Sequence, residues 1–217
     1  MKILIFQTEA EAKRRAAALL LRQVQNEPES VLGLATGGTM EAIYAYLASA
    51  CAKQAVSWSK IVTFNLDEYW GIPSDSLASY RTYMNTHLFQ HVDIPFDATH
   101  VPASDGGDPA VVAQSYEAAI AAAGGIDLQL LGIGKNGHIG FNEPTSSLNS
   151  ATRIKTLTQE TRDANRRFFD RLEDVPKYAL TVGIGTILAS RNCIIVGTGI
   201  GKAAAVKAMI EGPVTAA

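Results

Sequence analysis

The chain has few of the residues that hold small disulfide-rich domains together. Only two of its 217 residues are cysteine, Cys51 and Cys193, and they match no metal-ligand spacing. We expect two buried thiols of a reducing compartment, since a disulfide is possible but nothing in the sequence suggests one. The fold must therefore depend on a hydrophobic core, and 47% hydrophobic residues over this length are enough for one.

Long apolar runs and a strong charge of either sign are also missing. The apolar run at residues 2–6 is too short for a signal peptide, and no run approaches the roughly 18 residues of a membrane span. We therefore expect a cytoplasmic protein without a membrane partner. The net charge of -2 predicts no general attraction to nucleic acid, so an anionic ligand needs a local site.

Apolar runs alternate with helical patterns along the chain. This alternation predicts an α/β fold: an open, mainly parallel, doubly wound Rossmann-like sheet with helices on both faces, in a single domain over residues 1–217. The predicted strands are residues 2–6, 31–35, 60–66, 126–133 and 193–197. The predicted helices are residues 9–26, 40–53, 79–91, 111–123 and 202–210.

Four polar segments each follow a predicted strand. They are residues 36–39, 67–69, 134–143 and 198–202. In open parallel sheets, ligands bind beyond the carboxyl ends of the strands, so we expect these segments to form one site.

Residues 145–177 differ from the rest, because they are rich in basic residues and have few strand signals. They are either a solvated, helix-rich excursion or a mobile lid that brings cations to an anionic ligand. The basic residues are Arg153, Lys155, Arg162, Arg166, Arg167 and Arg171.

Two segments are suited to binding an anion. Thr36, Gly37, Gly38 and Thr39 lie between a strand and a helix, where backbone N–H groups favour anions; the alternative is a tight turn with a threonine cap. Lys202 lies at a predicted helix start, where its charge opposes the helix dipole unless an anion is bound; the alternative is a solvated lysine.

Neither glycine-rich segment is a nucleotide motif. Only three residues separate Gly197 from Gly201, and Ala203 replaces the Ser or Thr of a P-loop. Residues 132–137 fit the dinucleotide pattern G-x-G-x-x-G, but that pattern requires a helix, and Pro144 is unsuited to a helix interior. We therefore reject both nucleotide interpretations.

Three side chains are suited to proton transfer. His138 titrates near neutral pH and has Glu143 nearby in the same loop; the alternative is a structural histidine. Asp67 follows an apolar strand, so desolvation would raise its pKa and suit it to be a general base; the alternative is a strand-end cap or ion pair. The sequence has neither a zinc-ligand cluster nor a G-x-S-x-G elbow.

Together these motifs resemble the glucosamine-6-phosphate deaminase family. The most specific match is Gly-Ile-Gly-Lys-Asn-Gly-His-Ile-Gly-Phe-Asn-Glu-Pro at residues 132–144. Further matches occur in family order at residues 32–39, 63–69, 152–158, 164–169 and 179–188.

The resemblance implies conversion of glucosamine 6-phosphate to fructose 6-phosphate and ammonia, with no metal or organic cofactor. It implies that His138, supported by Glu143, assists ring opening and that Asp67 moves the C2 proton to C1. The implied phosphate site consists of Thr36, Gly37, Gly38, Thr39, Arg167 and Lys202. Residues 145–177 are then expected to be a helix-rich lid.

The chain departs from the family pattern at two places. Asn136 stands where many members have Asp in the ring-opening relay, and Asn can orient a group but cannot ionise. The chain stops at Ala217, where members continue, so we expect a C-terminal truncation. Both features resemble the non-allosteric, often monomeric branch, and we expect a monomer. Four residues nevertheless match an allosteric intersubunit site, which keeps a homo-oligomer possible: Ser146, Arg153, Lys155 and Thr156.

Two other functions compete with the deaminase interpretation. A 6-phosphogluconolactonase shares the fold, but it would lack the continuation at residues 141–144 and usually has Arg in place of Tyr69. A sugar-phosphate-sensing effector domain of a transcription regulator would need no catalysis, and no helix-turn-helix precedes the domain here.

Overall fold

The computed structural model describes residues 1–166, 169 and 171–215. The described strands are Val31–Leu34 (β1), Val62–Asn65 (β2), Asp67–Trp70 (β3), Thr99–His100 (β4), Leu128–Gly132 (β5), Arg153–Thr156 (β6), Tyr178–Thr181 (β7) and Asn192–Val196 (β8). The described α-helices are Glu9–Asn26 (α1), Gly38–Gln54 (α2), Tyr80–His87 (α3), Pro109–Ala122 (α4), Gln159–Asn165 (α5), Ile184–Leu188 (α6) and Ala203–Glu211 (α7).

The central sheet is parallel and open. Its order is β4-β2-β1-β5-β8, and every neighbouring pair runs parallel. All four residues of β1 and the first four of β5 are buried, as expected for strands covered on both faces. The predicted α/β class with a mainly parallel sheet is confirmed.

The first helix begins where the sequence indicates. The Thr8 hydroxyl accepts from the Glu11 N–H at 3.2 Å, and the Thr8 N–H donates to the Glu11 carboxylate at 3.0 Å, which completes a capping box. The buried face of α1 includes Leu20 and Val24 and belongs to the same core as the fully buried Trp58.

A second, antiparallel sheet of order β3-β7-β6 lies beside the first and is not predicted by the sequence. The chain passes from one sheet to the other at Leu66. The Leu66 N–H donates to Leu34 of β1 at 3.0 Å, and its carbonyl accepts from Val182 at 2.7 Å. Asp67, the next residue, is already part of the second sheet and pairs with Thr181.

Two expectations are wrong. Residues 2–6 form no strand, and Ile5 is 91% exposed. A strand needs a neighbour for its backbone N–H and C=O groups, and β8, at the end of the described sheet, does not pair with these residues. Residues 145–177 are not simply helix-rich, because they include β6, which is short, polar and only partly buried and so has little strand signal.

The predicted helix at residues 79–91 is shorter than expected. It ends at His87, and a separate 3-10 turn, Phe89–His91, follows. No described helix is long and apolar enough to cross a membrane.

Candidate active site

A cleft of about 900 Å³ lies beyond the carboxyl ends of the parallel strands. All four polar segments that follow predicted strands contribute to its wall. The predicted residues that line it are Thr36, Gly37, Gly38, Thr39, Asp67, Asn136, His138, Glu143 and Lys202. Arg167 lies outside the described residues.

Asp67 is almost completely buried at the floor of the cleft, with 5% of its surface exposed. Burial, followed by the charge of Glu68, raises the pKa of Asp67 to about 8. The loop backbone comes very close to it at Gly140, where a Cβ atom would lie 2.9 Å from the carboxylate Oδ2. Gly140 also has a positive φ of 58°, so only glycine suits both the space and the conformation.

Glu68 is a buried carboxylate that fixes the start of α3. It accepts from three backbone N–H groups: Tyr69 at 2.8 Å, Tyr80 at 3.0 Å and Arg81 at 3.0 Å. The Ser79 hydroxyl accepts from the next N–H, that of Thr82, at 3.0 Å. Burial raises the pKa of Glu68 to about 7, and the N–H donors oppose that rise. The strand that carries Asp67 is thus joined directly to α3.

His138, Asn136 and Glu143 form a hydrogen-bonded chain. The Asn136 side-chain N–H donates to Glu143 at 2.8 Å, and its oxygen lies 2.7 Å from Nδ1 of His138. This amide orientation follows from the network, since an ionised Glu143 can only accept. His138 must then donate from Nδ1, which leaves the lone pair of Nε2 available as a proton acceptor.

The surroundings of His138 favour its neutral form. Burial lowers the pKa of His138, Glu143 opposes that shift and the Lys202 ammonium adds to it. Glu143 is held at its other oxygen by the Thr161 hydroxyl at 2.8 Å. Asn136 keeps the ring oriented without adding a negative charge.

Another part of the cleft wall is suited to an anion. Helix α2 has no side-chain cap, and Gly38 and Thr39 are its first two residues, so their N–H groups have no partner within the helix. Gly37 precedes them with a φ of 107°, a conformation that favours glycine. Burial, and then the nearby Lys135 ammonium, lowers the pKa of Lys202.

Several cleft residues were not predicted from the sequence. Glu9 and Lys13 of α1, Tyr80 and Tyr83 of α3, and Thr161 of α5 all line the cleft. Each lies in an ordinary amphipathic or polar helix, and no local pattern distinguishes it from a packing or solvent-facing residue.

The described residues of the 145–177 segment bring no arginine to the cleft. They contribute Glu160, Thr161, Asp163 and Asn165 instead. Across the described residues, no group of three or more His, Cys, Asp or Glu side chains is arranged to hold a metal ion.

Gly134→Ala should displace His138. A Cβ atom at Gly134 would overlap the imidazole ring, so the ring must move and its bond to Asn136 must break. We expect a shift of the His138 ring signals in NMR spectra and a loss of about 1–3 kcal/mol in the free energy of unfolding. Gly201→Ala is the matched control, because its new Cβ would make an ordinary contact at 3.6 Å. Unchanged His138 signals in Gly134→Ala would contradict this account of the loop.

Asp67→Asn should stabilise the protein, and more so at higher pH. The folded pKa of Asp67, about 8, lies above its ordinary 3.8, so the folded state holds a proton that the unfolded state loses. The stability that this retained proton contributes to the folded state is fully present below about pH 4 and is lost as the pH rises toward 8. In thermal unfolding, the variant should exceed the unaltered protein in unfolding temperature by more at pH 8 than at pH 5. An equal gain at both values would show that the carboxyl is not desolvated.

Comparison with known proteins identifies relatives along the whole chain. The family model described as glucosamine-6-phosphate isomerases/6-phosphogluconolactonase matches residues 7–216. A glucosamine-6-phosphate deaminase of Cellvibrio japonicus is 51% identical over 217 residues, covering 100% of this chain and 82% of that protein. A glucosamine-6-phosphate deaminase of Hahella chejuensis is 50% identical, again covering 100% of this chain and 82% of that protein.

Solved structures also include proteins that are similar along the whole chain. A protein described as a monomeric glucosamine-6-phosphate deaminase superposes with a TM-score of 0.97 at 42% identity, covering 100% of this chain and 90% of that one. A 6-phosphogluconolactonase from Trypanosoma brucei has a TM-score of 0.78 at 19% identity, covering 98% and 87%, and at that identity it shares the fold alone. On this evidence the chain belongs to the family of glucosamine-6-phosphate isomerases and 6-phosphogluconolactonases.

Proposed function

We propose that this protein converts glucosamine 6-phosphate and water to fructose 6-phosphate and ammonia. The observation that carries the proposal is the pairing, in one cleft, of a buried carboxyl suited to act as a base with an oriented neutral histidine. The relatives that are about 50% identical are named for this reaction. The alternative, lactone hydrolysis, removes no proton from carbon.

The first proposed step is opening of the pyranose ring at His138. Nε2 takes the proton from the anomeric hydroxyl, the C1–O5 bond breaks, and the imidazolium that has formed gives that proton to O5. Asn136 holds the tautomer that leaves Nε2 unprotonated, and Glu143 fixes Asn136. The product is an open-chain aldehyde with an amine on C2.

Asp67 performs the second proposed step. In its ionised form it removes the C2 proton, which the adjacent aldehyde acidifies, and it returns that proton to C1. C2 is oxidised to an imine as C1 is reduced to an alcohol, with a second proton passing from the nitrogen on C2 to O1, so atoms and electrons balance within the substrate. The desolvated position of Asp67 supports this role, since a base with a raised pKa takes a proton more readily.

Water then completes the reaction. It adds to the C2 imine, the C–N bond breaks and ammonia leaves, which gives the ketone of fructose 6-phosphate. Because the substrate supplies both the carbonyl and the amine, this scheme requires no external oxidant or electron sink.

The phosphate is proposed to lie against the start of α2 and Lys202. The N–H groups at the start of α2 and the hydroxyls of Thr36 and Thr39 would donate to its oxygens, and Lys202 would supply charge. Arg167 is proposed as a further cation from the sequence alone.

Ammonia release tests the proposed reaction. The protein, without added metal, should release ammonia from glucosamine 6-phosphate in a coupled assay. Asp67→Asn has nearly the same shape and is the matched control; it should lose at least about a thousandfold in rate and retain affinity for the sugar phosphate, because it cannot take the C2 proton.

Two outcomes would contradict this assignment. If the protein released no ammonia and hydrolysed 6-phosphogluconolactone instead, the reaction would be that of the lactonase branch. If it bound sugar phosphates and catalysed neither reaction, the sensing interpretation would replace both.

We also propose that the protein acts as a monomer in the cytoplasm. The monomeric deaminase with a TM-score of 0.97 supports the first part. Sedimentation equilibrium should give a mass near 23.1 kDa, with and without sugar phosphate. A concentration-dependent rise to twice that mass or more would contradict it.

A further inference from the structure

Two tyrosine hydroxyls donate to backbone carbonyls in and next to the Thr36–Gly37–Gly38–Thr39 turn. The Tyr83 hydroxyl, in α3, donates to the Gly37 carbonyl at 2.9 Å. The Tyr44 hydroxyl, in α2, donates to the Ala35 carbonyl. Tyr44 is completely buried, whereas Tyr83 is partly buried and lines the cleft.

These two bonds fix the direction of two N–H groups. In a trans peptide unit the C=O of one residue and the N–H of the next point in opposite directions. When Tyr83 holds the Gly37 carbonyl, it therefore also fixes the direction of the Gly38 N–H. Tyr44 holds the Ala35 carbonyl and in this way fixes the direction of the Thr36 N–H. Both Thr36 and Gly38 line the cleft.

Gly37 is the least constrained residue of the turn. Its φ of 107° belongs to a region that glycine enters at little cost, and a Cβ atom there would meet nothing within 4 Å. Local sterics therefore do not fix the adjoining peptide unit, and hydrogen bonds to the Gly37 carbonyl have to. The Gly37 carbonyl also accepts from the Met40 N–H at 2.8 Å, so the Tyr83 bond is the one that ties it to another element.

Helix α3, which carries Tyr83, is itself fixed to the strand of Asp67. The Glu68 carboxylate accepts the first two N–H groups of that helix, those of Tyr80 and Arg81. A continuous path of hydrogen bonds and helix backbone thus runs from the proposed base to the anion-binding turn.

We propose that Tyr83 is a positioning residue of the phosphate subsite: its hydroxyl holds the Gly37 carbonyl and so aims the Gly38 N–H at the phosphate of the substrate. This inference rests on the proposed function only for the identity of the phosphate ester. Tyr44 holds the neighbouring peptide unit in the same way, and α3 keeps the turn at a set distance from Asp67.

Tyr83→Phe removes the hydroxyl and keeps the ring. We expect the KM for glucosamine 6-phosphate and the inhibition constant of inorganic phosphate to rise together by roughly three- to tenfold, the effect of one lost hydrogen bond. The kcat should change by less than about twofold, because the phosphate contact is present in both the ground state and the transition state. Tyr178→Phe is the matched control. This tyrosine is 45% exposed on β7, and loss of its hydroxyl should change neither the KM nor the inhibition constant of inorganic phosphate.

The phosphate measurement separates positioning from mere stability. If Tyr83→Phe unfolded at a lower temperature but bound inorganic phosphate as tightly as the unaltered protein, the hydroxyl would be structural only and the proposal would be overturned. If the unaltered protein released no ammonia, the proposed reaction would fail, and calorimetric titration of both proteins with inorganic phosphate would still test Tyr83. Equal affinities in that titration would overturn the inference.

Discussion

The site depends on how the chain leaves its central sheet at Leu66. The backbone of Leu66 is bonded on one side to β1 and on the other to Val182, so the next residue, Asp67, is placed at the junction of the two sheets. The loop with the histidine relay is fixed to the same junction. The Phe141 N–H donates to the Thr181 hydroxyl at 3.2 Å, and the Asn142 side chain donates to the Val182 carbonyl at 2.8 Å. The proposed base and the proposed ring-opening group are therefore held by one set of backbone contacts.

Burying two adjacent carboxyl groups at this junction is costly, and the structure offsets the cost at only one of them. Glu68 is stabilised by three backbone N–H donors, which oppose the effect of burial on its pKa. For Asp67 the dominant effect is desolvation, and the charge of Glu68 adds to it. This asymmetry separates the two groups: Glu68 orders the first turn of α3, while Asp67 keeps a raised pKa and lines the cleft. A protein selected only for stability would have little reason to keep Asp67 as a carboxyl.

The sequence predicts the parts of this arrangement that come from local patterns. The alternation of apolar runs with helical periodicity predicted the parallel sheet, and the motifs after its strands predicted which segments would lie in one cleft. It did not predict the antiparallel sheet, because β3 reads as the polar end of the preceding strand and β6 has the composition of a loop. Gly134 looked like part of a nucleotide motif, and in the structure it makes room for the His138 ring. Contacts such as that of Tyr83 with Gly37 join residues 46 positions apart, so no local pattern indicates them.

The surroundings of the proposed proton-transfer groups favour their uncharged forms, and this bears on how the proposed reaction begins. Burial favours the neutral form of both His138 and Asp67, and Asn136 adds no charge between His138 and Glu143. In the proposed reaction the substrate arrives with an ammonium group on C2, the carbon from which Asp67 takes a proton. A positive charge within about 4–6 Å favours an ionised carboxylate, so the bound amine would lower the pKa of Asp67 and create the base where it is used. The phosphate, if bound as proposed, would then have a second role: by fixing the sugar at the turn that Tyr83 holds, it would determine which carbon, and which amine, faces the buried carboxyl.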